Sequence, residues 1–162
     1  MPTDWIKKQI LIRAPHDRVW RALANSKEYG AWFGADLEGP FVAGQKVSGV
    51  IVGSKVDPEV AKLQQIHAGK RMELEVVKVE PERLLALRWH PHAIEKGVDY
   101  SAEPTTLIEF TLEDVEGGVM VTVTESGFDQ IPIARRAKAF EANSGGWEIM
   151  VKVLDKYAAQ TK

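Results

Sequence analysis

The chain has 162 residues, 44% hydrophobic and 27% charged, with a formal net charge of -2 and no cysteine. That length predicts one domain over residues 1–162, with a sizeable buried core. The balanced charge excludes a dedicated nucleic-acid or membrane surface. The missing cysteines exclude disulfides, thiolate nucleophiles and Cys-ligated metals.

The opening Met1-Pro2-Thr3-Asp4-Trp5 lacks the basic and then apolar runs of a secretory signal. No apolar run reaches the roughly 18 residues a membrane span requires. A cytoplasmic location is the default expectation. Residues 5–13 alternate through Ile6, Ile10 and Ile12 as a strand does. Pro15 sits where the first turn of a helix favours proline, and Val19, Trp20, Leu23 and Ala24 give it a buried face. Asp17 and Arg21 are spaced as an i,i+4 pair. Asn25-Ser26 ends that helix and caps a second, from Lys27 to Trp32. A turn-rich loop, Gly34 to Gly44, leads into a strand at Val47–Val52. The segment Gly53–Gly69 reads either as a short helical turn around Val60, Leu63 and Gln64 or as a mobile loop.

Four strands follow. Met72, Leu74 and Val76 alternate, then Val77 and Val79 continue on the opposite parity, which predicts a bulge or strong bend. Leu85, Leu87 and Trp89 mark the next strand, and Ile108, Phe110 and Leu112 a third. Glu116-Gly117-Gly118 turns into Val119, Val121 and Val123. A long excursion separates Trp89 from Thr105, and such loops are often functional.

Near the C-terminus, Ile133, Ala137, Phe140, Ser144, Trp147, Val151, Leu154 and Ala158 recur at helical spacing. The stripe is broken at its centre by Asn143-Ser144-Gly145-Gly146-Trp147. Each glycine costs a helix interior roughly 1 kcal/mol relative to alanine. The pair therefore implies either very close backbone packing or space beneath the helix. The element order predicts an α+β fold, a curved antiparallel sheet covered by one long C-terminal helix, with two short helices after the first strand.

Several segments resemble the Hsp90-ATPase-activator-homologue branch of the START-like (SRPBCC) superfamily. They are Pro15-His16-Asp17-Arg18-Val19-Trp20-Arg21-Ala22-Leu23, Trp32-Phe33, Phe41-Val42-Ala43-Gly44, Glu80-Pro81 with Leu84-Leu85 and Trp89, Ser126-Gly127-Phe128, and Gly146-Trp147. The resemblance covers nearly the whole chain. It implies a helix-grip fold with a cavity between sheet and helix. The superfamily includes lipid and hormone binders, polyketide cyclases and a stress-related co-chaperone, so the fold alone does not set the function. The eukaryotic co-chaperone has a further N-terminal chaperone-binding domain for which these 162 residues leave no room.

Glu125 shares the parity of Val119, Val121 and Val123, so regular alternation points its carboxylate to the apolar face. There it would orient a ligand or serve as general acid/base. If the strand ends or bulges earlier, Glu125 is solvated or caps backbone amides. His90 and His92 flank Pro91 beside Trp89, near Glu95 and Asp99, but no third spaced histidine supports a metal site. Loop histidines are the simpler reading, with His90 a candidate hydrogen-bond partner to a ligand. Trp89, Phe110 and Trp147 lie on the expected inward face. Trp32 and Phe33 join them as candidate lining residues, with Gly146 above and Phe41 and Phe128 at the mouth. Arg135, Arg136 and Lys138 read as a solvated helix face. Residues 100–104 are either a lid or a packed loop.

No nucleophile elbow, phosphate loop or dinucleotide fingerprint occurs, so no catalytic residue, cofactor or metal is assigned. The expected function is binding of a small, mostly apolar molecule between sheet and helix. A cyclase- or hydrolase-type enzyme using Glu125 or His90 is the alternative, as is a protein-interaction module with a chaperone partner. A homodimer is compatible with each.

Overall fold

The computed structural model describes residues 5–92 and 99–160. The first alternating segment is strand β1 (Trp5–Ile12), with Ile6 and Ile12 buried. Pro15 precedes helix α1 (His16–Ala24), which buries Arg18, Val19, Ala22 and Leu23. Asn25 ends α1 and starts α2 (Ser26–Phe33), its side-chain oxygen accepting from the Lys27 and Glu28 amides. Those amides have no partner within the helix, which is why asparagine is favoured there. Gly34 closes α2 at a φ of 102°, a left-handed conformation that glycine adopts without strain. Arg21 turns to Glu28, at 2.8 Å, instead of the expected Asp17.

The turn-rich loop contains a short strand, β2 (Ala35–Leu37), paired with β3 (Lys46–Ile51). The ambiguous segment holds a helix, α3 (Pro58–Gln64). It is capped by Asp57, whose carboxylate accepts from the Glu59 and Val60 amides. A 3-10 turn, Gln65–His67, follows. Strands β4 (Arg71–Glu80), β5 (Leu84–Trp89), β6 (Thr106–Val115) and β7 (Gly118–Ser126) are the expected four. The register slips between Val76 and Lys78 where the parity changes. The extra residue bends β4 and helps the sheet curve.

All seven strands form one antiparallel sheet in the order β1-β7-β6-β5-β4-β3-β2. Its inner face carries Leu74, Leu85, Ile108, Phe110, Val121 and Val123, each at most 1% exposed. Over it lies α4 (Ile133–Gln160), 28 residues long and so about 42 Å from end to end. The helix lies against β1, α1 and α2. This is the expected helix-grip α+β arrangement.

The last helix runs unbroken through Gly145-Gly146, one long element as expected. One expectation is corrected: its buried face differs at the N-terminal end, where Ile133 is 82% exposed and Ala137 is exposed, while Ala139 is buried. Polar bonds from Arg135 and Arg136 to neighbouring loops secure these first turns, so apolar burial is not needed there. From Trp147 through Val151, Leu154 and Ala158 the expected stripe is buried. No helix among the described residues is long and apolar enough to cross a membrane.

Candidate functional site

Where α4 passes over the end of β5, the side chains leave a chamber of about 240 Å³ that opens to solvent past the exposed Leu63 and Ile149. Phe33 of α2, Leu63 of α3, Trp89 of β5, and Asn143, Gly146 and Trp147 of α4 are on its walls, and none of its lining side chains is charged. Beside it lies a wider groove of about 960 Å³ that shares Phe33, Trp89, Asn143 and Gly146. The outer walls of the groove are polar, with His67, Lys70, Arg71, His90, His92 and Tyr100.

The glycine pair borders this space. A Cβ built on either Gly145 or Gly146 meets no atom within 4 Å. Close backbone packing would place atoms inside that distance, so it does not account for the pair. Gly146 lines both spaces, whereas Gly145 is exposed and borders only the outer groove.

Behind the chamber wall sits Glu125, inside β7 and 0% exposed. Regular alternation therefore continues to this residue, and the strand neither ends nor bulges before it. Its carboxylate accepts five hydrogen bonds. Oε2 takes the Trp89 indole N–H at 2.7 Å and the Thr106 hydroxyl at 2.5 Å. Oε1 takes the Trp147 indole N–H at 2.8 Å. The Asn143 amide donates to both oxygens at 3.0 Å. Indole and amide N–H groups only donate, so both carboxylate oxygens act as acceptors. The charge also reaches Tyr29, whose phenol is pushed above its ordinary range chiefly by burial and secondarily by Glu125.

Glu125 is therefore not on the wall of either space, and its acceptor capacity is committed to the fold. It fixes the orientation of Trp89, Asn143 and Trp147, which do line the chamber. Asn143 was not singled out in the sequence. Its signal was a polar residue one helical turn before Trp147, on the buried side of the helix.

The other candidates divide. Phe33, Trp89, His90, Gly146 and Trp147 border the chamber or the groove. Trp32 does not. It is 1% exposed and donates its indole N–H to the Ala22 carbonyl at 2.9 Å, inside the core. Phe110 stands behind the wall, edge-on to Trp147 with centroids 5.6 Å apart. Phe41 and Phe128, expected at the mouth, are buried instead. Phe41 packs edge-on to Tyr29 and Phe128 edge-on to Phe140. Each ring sits where sheet or helix needs an apolar cover, which draws it inward from its loop.

His90 and His92 both face the groove, with the His90 Nε2 3.1 Å from the Glu103 carbonyl. Glu95 lies outside the described residues, and no cluster among the described residues could hold a metal ion. Arg135 and Arg136 are not merely solvated. Arg135 pairs with Glu103 at 2.6 Å, donates to the Pro91 carbonyl at 2.8 Å and stacks over the Tyr100 ring at 4.8 Å. Arg136 donates to the Asp129 and Ile131 carbonyls. The two flanks of the excursion are thus clamped to the start of α4 as packed structure, with Tyr100 forming part of the groove wall.

Solved structures share this architecture. A protein from Mesorhizobium loti is 18% identical over 98% of both chains, with a TM-score of 0.70. DynU16, a protein of the dynemicin biosynthetic locus, is 24% identical, with 96% of this chain matched to 47% of that one and a TM-score of 0.66. The Aha1 dimer from Colwellia psychrerythraea is 18% identical over 93% of this chain and 92% of that one, with a TM-score of 0.63. At these identities the likeness is one of fold. No curated protein sequence matches the chain significantly. The family model described as Activator of Hsp90 ATPase homolog 1-like protein matches residues 13–159. The helix-grip fold and that match, covering nearly all of the chain, place the protein in the Activator of Hsp90 ATPase homolog 1-like family.

Proposed function

We propose that the chain binds a small, mostly apolar molecule between the sheet and the C-terminal helix. The observation that carries this reading is the uncharged chamber of about 240 Å³ beneath Gly146, adjoining a groove of about 960 Å³. Ligand sites typically enclose about 300–1,000 Å³ and combine apolar walls with a few placed polar groups. The chamber supplies the walls, and Asn143, whose Nδ2 is held by Glu125, supplies its amide oxygen as a polar group. A general acid/base role for Glu125 has less support, since its oxygens are engaged by four donor side chains and it borders neither space. His90 is better placed, on the groove wall, but its Nε2 is turned to the Glu103 carbonyl at 3.1 Å.

Native mass spectrometry of freshly purified protein tests the reading. A retained adduct of small-molecule mass that is lost on denaturation is the expected result. Absence of an adduct, together with no binding of any apolar probe at millimolar concentration, would sink it.

A further inference from the structure

Three aromatic rings meet at the chamber. Trp89 and Trp147 have centroids 5.8 Å apart at an interplanar angle of 30°, and Phe33 lies 5.9 Å from Trp89 and 6.2 Å from Trp147. All three line the chamber. Such a cluster alone is ordinary core packing. The difference here is the charge behind it.

Both indole N–H groups point into the Glu125 carboxylate. That carboxylate is fully buried, and its four donors, Trp89, Thr106, Asn143 and Trp147, are all neutral. No ion pair among the described residues includes it. Neutral donors stabilise a carboxylate without cancelling its charge. A buried charge is screened far less than one in water, so its field extends into the adjoining cavity. An indole that donates to an anion is also polarised, and its ring face becomes a better seat for a positive charge. Asn143 connects the two features. The amide that donates to the carboxylate also lines the chamber.

The remaining walls of the chamber are uncharged, and the adjoining groove carries Lys70 and Arg71 together with Glu73 and Glu141. Side-chain acceptors for an N–H-bearing ammonium reduce to the Asn143 Oδ1 on this wall. The Gln64 amide is committed at both ends, to the Phe33 carbonyl at 2.7 Å and to the Ser54 amide at 2.7 Å. A quaternary head requires no acceptor.

We propose that the chamber selects a small quaternary ammonium with an apolar arm, its head held against Phe33, Trp89 and Trp147. This inference rests on the ligand-binding reading above and names the chemistry of its ligand. Anionic amphiphiles such as fatty acids are disfavoured there by the same field.

The test uses two probes of one shape, phenyltrimethylammonium and tert-butylbenzene, which differ by a cationic nitrogen in place of a carbon. Titration of the full chain by tryptophan fluorescence or calorimetry is expected to show the cation binding at least about tenfold more tightly. Equal binding, or a preference for the neutral probe, overturns the cation inference while leaving the ligand-binding reading intact. Failure of both probes to bind also overturns the cation inference, and the ligand-binding reading falls with it only if no adduct is retained and no other apolar probe binds. Glu125→Gln is expected to bring the ratio of the two affinities back toward one. Should that variant not fold, Trp147→Phe keeps a ring and removes the N–H donor, and the ratio is expected to fall at least threefold. An unchanged ratio in a folded variant overturns the proposal.

Discussion

Replacing Gly146 by leucine separates open space from close packing as the reason for the glycine pair. The position is helical, in α4, and a Cβ there meets nothing within 4 Å. Leucine is close to alanine in helix propensity, and glycine is about 0.8–1.0 kcal/mol worse. The ligand-free variant is therefore expected to gain about 0.5–1 kcal/mol. For a chain of this size that raises Tm by roughly 1–4 °C. The same side chain enters the chamber. Four carbons, each comparable to the roughly 30 Å³ share of a water molecule, take up on the order of 100 Å³ of its 240 Å³. Thermal melts on protein stripped of small molecules measure the first effect, and titration with an apolar probe measures the second. Gly145→Ala is the control, also free of contacts but exposed, and it should gain stability without weakening binding. A Tm that falls by several degrees in Gly146→Leu alone would refute the open-space argument. Unchanged probe binding in a stabilised Gly146→Leu would remove the chamber from the ligand site.

Glu125→Gln places an amide nitrogen where two or more donors now point, and hydrogen bonds to charged groups contribute about 1.5–3 kcal/mol each. Its urea midpoint should correspond to a loss of about 2–5 kcal/mol, and an unchanged midpoint would contradict the bonding described. His16 Nδ1 lies 2.7 Å from Asp114 and Nε2 lies 2.6 Å from the Glu82 carbonyl. Both partners accept, so both ring nitrogens must donate, and the bond to Asp114, then that to Glu82, raise the His16 pKa above 6.5. A raised folded-state pKa adds stability that is fully present below pH 6.5 and disappears as pH rises through the folded value. Unfolding measured from pH 5.5 to 8.5 should show His16→Gln most destabilised at the acid end, and a gap that widens with pH would overturn the assignment. Arg135→Met removes the clamp on residues 99–105. Hydrogen exchange should speed up at those amides with little change in β6 and β7, whereas uniform protection would mean that Arg135 does not hold the segment.

Elements with a strong period were legible in the sequence. The bulge at Val76–Lys78 appeared as a parity change, and Glu125 lay on the parity of its strand. What could not be read was set by partners distant in the chain. β2 is a three-residue strand whose identity comes from pairing with β3, and Ala35-Asp36-Leu37 is too short for its alternation to mark a strand. α3 stood as one of two readings, a helical turn around Val60, Leu63 and Gln64 or a loop, and the signal that decides for the helix is Asp57-Pro58, an N-cap followed by proline at the first helical position. The candidate site was legible in part. Trp89, Gly146 and Trp147 stood out by type and position, but the seal over Trp32 depends on the Ala22 carbonyl, ten residues away. The role of Glu125 was hidden for the same reason. Its donors lie at positions 89, 106, 143 and 147, and only the folded chain brings them together.

That dispersion bears on how the chain folds. Before α4 docks, Glu125 has Thr106 and Trp89 beside it on the sheet but lacks Asn143 and Trp147. A carboxylate with half its donors holds its water, and that water keeps the inner face wet around the end of β7. Docking of the last helix expels the water and completes the bonds. Sheet and helix therefore gain their dry contact here together, and loss of the helix rehydrates this end of the sheet instead of leaving it as a stable remnant. A single anion, harmless to either element alone, couples the two into one cooperative unit.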